Sequence, residues 1–128
     1  MLREPRERPA RRYRPGSIDR AGHARRAVEL FNAGRFWEAH EELEAIWRSV
    51  TDEAEAAVIQ GLIQAAAALL HQERGNSHGV KVVGGAALAK LAGPQHPAVE
   101  FETEAFRHDL EDALLRGGPL PRLGVRGK

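Results

Sequence analysis

The chain has 128 residues, 42% of them hydrophobic and 29% charged, and it contains no cysteine. That is the size of one domain with a modest core. Without cysteine, neither a disulfide framework nor a thiolate-held metal can be built, and a reducing cytoplasm is the expected compartment.

The net charge of +1 hides a division. Residues 1–16 hold six Arg and two Glu, and residues 117–128 add Arg122, Arg126 and Lys128, while the segment between carries ten basic and sixteen acidic side chains. An acidic body therefore sits between basic ends. The opening "MLREPRERPARRYRPG" lacks the apolar run of a signal peptide, and Pro5, Pro9 and Pro15 interrupt any transit helix. It is expected to be a disordered lead-in. Tyr13 among the arginines could meet phosphates, but no folded basic face stands behind it, so nucleic acid is not an expected partner. The expected organisation is this basic segment at 1–16, a helical domain at 17–116 and a C-terminal tail at 117–128.

Within the body the punctuation gives helices. Ser17 is placed to cap a first helix in which Ala21, Ala24, Val28 and Phe31 recur every three or four residues, and Gly34 ends it. A second helix begins near Phe36 and should bury Phe36, Ala39, Leu43, Ile46, Trp47 and Val50, with Glu38 and Glu42 opposite. Thr51 or Asp52 then caps a third, apolar on nearly every side, which runs to about Arg74 and is the expected central helix. Its apolar stretch is broken by Glu55, Gln60, Gly61 and Gln64 and falls short of the roughly twenty residues of a membrane span. No membrane is expected as a partner.

Gly75 and Asn76 close the third helix and cap a fourth, whose inward stripe is Val80, Val83, Ala87 and Leu91 and whose Gly84–Gly85 pair admits a close neighbour. "GPQHP" at 93–97 is a loop. Thr103 caps a fifth helix burying Phe106, Leu110, Ala113 and Leu114, ended by Gly117–Gly118. No run alternates with period two, so the expected fold is all-α: a compact bundle of about five helices, mostly antiparallel neighbours.

Two stretches, "FNAGRFWEAHEELEAIW" and "QGLIQAAAALLHQERGN", resemble the domain-of-unknown-function 309 family over about Ala27 to Leu91. The resemblance implies a helical bundle and no assigned activity, and it carries over no catalytic residues. Downstream the chain departs from the family pattern, with Glu100, Phe101 and Glu102 where similar members show Gly-x-Asp.

The chemistry of interest lies in "HEELE". His40, Glu41 and Glu44 form H-E-x-x-E, one residue away from the zinc-protease signature H-E-x-x-H. At 100° per residue His40 and Glu44 fall on the border of the apolar arc, with Glu41 nearer solvent. On the third helix Gln60, Gln64 and His71 share the one polar stripe. A hairpin folded about residue 50 sets His40 level with Gln60 and Gly61, and His71 about 15 Å further along the axis. Zinc on His40 and Glu44 would then lack a third ligand at ~2 Å.

The favoured reading is a satisfied buried network of His40, Glu44, Gln60 and Gln64 that sets the hairpin register. The alternative is a metal-assisted hydrolase or small-ligand site on His40, Glu41 and Glu44, with Trp37, Gln60, Gln64 and His71 as ligand-binding candidates. His71 is otherwise expected to bond the carbonyls ending the first helix, near Asn32 to Gly34. His23, His78, His96 and His108 have no ligand-like spacing. One helical hairpin has the cadence of a tetratricopeptide unit, but about three copies are needed for a stable stack. No cofactor is expected. The expected mode of action is self-association into a homodimer, or binding of a protein or small-molecule partner.

Overall fold

The computed structural model describes residues 18–127, so the expected basic lead-in at 1–16 and the cap expected of Ser17 lie outside the described residues. Five helices follow: α1 (Arg20–Asn32), α2 (Phe36–Ser49), α3 (Glu53–Glu73), α4 (Ser77–Leu91) and α5 (Glu104–Arg116). The bundle is all-α. Its only β feature among the described residues is an isolated antiparallel bridge between Phe101 and Val125.

Three helices begin on a side chain that accepts a first-turn N–H: Asp19 from Gly22, Asp52 from Glu55 and Asn76 from Gly79. Each satisfies one of the donors that a helix start leaves open. Thr103 holds the cap position of α5 without capping it. Its hydroxyl donates to Gln95 instead, and the Glu102 carboxylate takes the Ala105 N–H.

All six residues expected on the inner face of α2 are buried, Trp47 among them. On α4 the expected stripe is only partly right. Ala87 and Leu91 are buried, whereas Val80 and Val83 are half-covered. Gly84 takes up the space beside Leu114, whose Cδ1 would lie 2.9 Å from an added Cβ, while Gly85 faces nothing. Phe31 joins three helices, meeting Phe36 edge-on at 5.1 Å and Phe106 at 5.4 Å. Such edge contacts contribute about 0.5–1.5 kcal/mol beyond burial.

Helix α3 lies between α2 and α4 and packs most extensively on α4. The approach is close at Gly61, where an added Cβ would lie 3.0 Å from Lys90 Cβ. By length and composition α3 is apolar enough to cross a membrane, contrary to the count of uninterrupted apolar residues, and 56% of its most apolar stretch is buried inside the fold. Its oiliness serves the core.

The segment expected to be a tail from residue 117 is folded back onto the bundle. Pro121 and Leu123 are buried. The Asn32 amide clasps the Leu123 backbone from both sides, donating to its carbonyl at 2.9 Å and accepting from its N–H at 2.8 Å. Further on, Glu102 N–H donates to Gly124 and Arg126 N–H to Glu100. The helical unit therefore extends past 116, because backbone pairing and two apolar side chains hold what periodicity alone does not reveal.

Candidate functional site

Helices α2 and α3 frame a pocket of about 190 Å³ at the end of the hairpin away from their connection. Its floor is Ala66, Ala67 and Leu70 from α3, with Phe36 from α2. Trp37, His40, His71 and Arg74 complete the wall. Trp37 is 58% exposed and lies over the His40 imidazole, ring centroids 5.1 Å apart and planes 11° from parallel. Beside it, at the start of α2, Arg35 donates to Glu38 at 2.8 Å, which holds the Glu38 carboxyl below its usual range.

The expected network is not formed. His40 Nδ1 and Gln64 Oε1 are both buried and have no hydrogen-bond partner. Glu44 turns along its own helix to Arg48, 3.5 Å away, and faces a separate hollow of about 150 Å³ with Gln60, Trp47 and Ile63. An exposed arginine four residues on was the nearer and better-solvated partner. Glu41 is exposed. No group of three His, Asp or Glu side chains among the described residues could hold a metal ion.

His71 is also placed differently from expectation. It does not reach the end of α1 but lines the same pocket as His40. Two physical reasons bring the rings together. Val50 and Asp52 are extended, with ψ of 134° and 126°. They carry the chain onward before α3 turns back, so that His40 shares a pocket with Ala66 and Ala67, between one and two helical turns further along α3 than a fold about residue 50 allows. Helical side chains also lean toward their own N-termini, and in an antiparallel pair those directions converge.

The His71 ring is fixed from behind. Its Nδ1 lies 3.1 Å from the Asn76 amide nitrogen, whose own Oδ1 is occupied by the Gly79 N–H. That leaves Nδ1 as acceptor and puts the ring proton of a neutral His71 on Nε2. Gly79 makes the room, since a Cβ there would stand 2.5 Å from the imidazole.

A satisfied polar cluster does exist, at a place sequence reasoning missed. Arg20 of α1 makes a bidentate pair with Glu100, Nε at 2.7 Å and Nη2 at 2.9 Å, and the same Nη2 donates to Glu55, buried on α3. The Glu100 hydrogen bonds raise the Arg20 pKa further, against the opposing effect of burial. The signal was Glu55 itself, a carboxylate inside an oily helix. Next to this cluster is a hollow of about 740 Å³, lined largely by Ala21, Ala24, Val28 and Val125. Of its polar lining, Arg20 and Glu100 satisfy each other, and Arg25 stands beside them.

Elsewhere His23 pairs with Glu42 at 2.7 Å across α1 and α2, so Glu42 faces α1 instead of open solvent. His96 meets Asp52 at 3.4 Å. His108 stands exposed beside Asp109.

The fold and this pocket define a small helical bundle with a partly polar cleft between its second and third helices. Residues 24–83, from α1 through the first half of α4, match the family Domain of unknown function (DUF309). Comparison with curated proteins and with solved structures gives no significant match.

Proposed function

We propose that this protein acts by binding a small molecule in the α2–α3 pocket, with His40 as the polar contact at its centre. The observation that carries the reading is His40 itself, a residue that lines an open pocket and whose buried Nδ1 has no hydrogen-bond partner among the described residues. An unmet buried group costs about 1–3 kcal/mol, and a ligand that reaches it recovers that cost. A structural network would have closed on itself.

Saturation-transfer NMR with small planar compounds tests this. Binding should be seen with the wild-type chain and lost in Ala67→Phe, which fills the pocket floor. No binding, or binding indifferent to that substitution, removes the reading.

Self-association is a second reading. Trp37 and Leu120 are both more than half exposed, and each borders a hollow that also reaches Phe36. A homodimer would cover this apolar edge. Sedimentation should then give a dimer that Trp37→Ala weakens. A monomer at micromolar concentration would leave that edge to the ligand alone.

A further inference from the structure

Resting on that binding reading, we infer that the ligand is a small planar anion, an aromatic or conjugated carboxylate. The polar groups around the pocket are of one kind. His40, His71 and Arg74 stand on it, no Asp or Glu does, and the rest of the lining is apolar. A cation would find no counter-charge there. Arg74 has no ion-pair partner among the described residues, so an anion meets a guanidinium that is not already engaged. The planar fork of arginine matches both oxygens of a carboxylate.

His71 adds a donor of fixed identity. With Nδ1 accepting from the Asn76 amide, its Nε2–H is the group left to donate. Asn76 and Gly79 are positioning residues for that donor, one by orienting the ring and the other by yielding the space behind it.

Planarity and size come from the other walls. The Trp37 indole, nearly parallel to the His40 ring, offers an aromatic surface at the rim against which a conjugated ligand can stack. About 190 Å³ is roughly six water volumes at ~30 Å³ each, room for one ring and its carboxylate and too little for a nucleotide.

Benzoate is the probe, and benzamide is its uncharged isostere. At pH 7, where the carboxyl is ionised, calorimetric titration of the full chain should show benzoate binding about tenfold or more tightly than benzamide. Arg74→Gln should bring the two within about twofold without changing the melting temperature. Equal affinities in the wild-type chain, or a benzoate affinity unmoved by Arg74→Gln, would overturn the anion assignment. Benzamide binding that Ala67→Phe abolishes would still leave the pocket reading intact. If neither probe binds, the anion assignment falls; if no planar compound in the NMR experiment binds either, the pocket reading falls with it.

Discussion

Two polar regions interrupt the apolar core of this bundle, and they are finished differently. At the α1 end, Arg20, Glu55 and Glu100 come from three parts of the chain and close on one another. At the α2–α3 edge, His40 and Gln64 each keep a buried atom without a partner. The first arrangement is what a fold does with charge it must bury, since an ion left alone there costs several kcal/mol. The second breaks that rule beside an opening. Places where a sequence violates polar satisfaction while the rest of the molecule obeys it are where function is sought.

The contrast predicts opposite responses to mutation. The largest effect should come from the closed cluster: Glu55→Ala should destabilise by about 2–3 kcal/mol. That is below the usual loss for a broken buried pair, because Arg20 keeps Glu100 and remains about a third exposed to water. Urea denaturation measures it. A loss below about 0.5 kcal/mol would show that the cluster behaves as a surface pair and would erase the contrast.

A smaller effect is expected at Asn32, whose amide holds Leu123 and with it the segment that pairs with Glu100 and Glu102. Asn32→Ala removes two side chain–backbone hydrogen bonds and should cost about 1–2 kcal/mol. Hydrogen exchange should quicken at Gly124 to Arg126 first. Unchanged exchange there would mean that Leu123 burial alone holds the segment.

What the sequence revealed followed local rules. The inner face of α2 was legible because 3.6-residue periodicity is a property of one helix, and Asn76, and Asp52 as one of two candidates, were legible as caps because a cap acts over three residues. The Arg20 cluster was not legible. Its members are 35 and 80 residues apart, and no periodicity links α1 to Glu55 or to the loop before α5. Nor was the hairpin register, since a shift of between one and two turns arises in a connection where Val50 and Asp52 are extended, a shape that composition does not announce. The convergence of His40 and His71 was within reach. Both rings lean toward their own N-termini, and axial rise alone ignores that lean.

The smallest predicted effect is the one that decides between a network and a site. In a satisfied network, Gln64→Leu or His40→Phe would each strand a neighbour and cost on the order of 1–3 kcal/mol, and the two changes would couple by about 0.5–3 kcal/mol. With both atoms already unmet, neither change strands anything. Phenylalanine keeps the stack on Trp37, and leucine keeps the volume of the glutamine stem. Each substitution should therefore leave stability within about 0.5 kcal/mol of wild type or raise it by up to about 1 kcal/mol, as happens when a polar group held for function is replaced. The coupling energy should be below about 0.5 kcal/mol. His40→Phe should at the same time weaken ligand binding, which a purely structural histidine would not do. Losses above 1 kcal/mol with strong coupling would return His40 and Gln64 to the core as mutual partners and leave the pocket without its central polar contact.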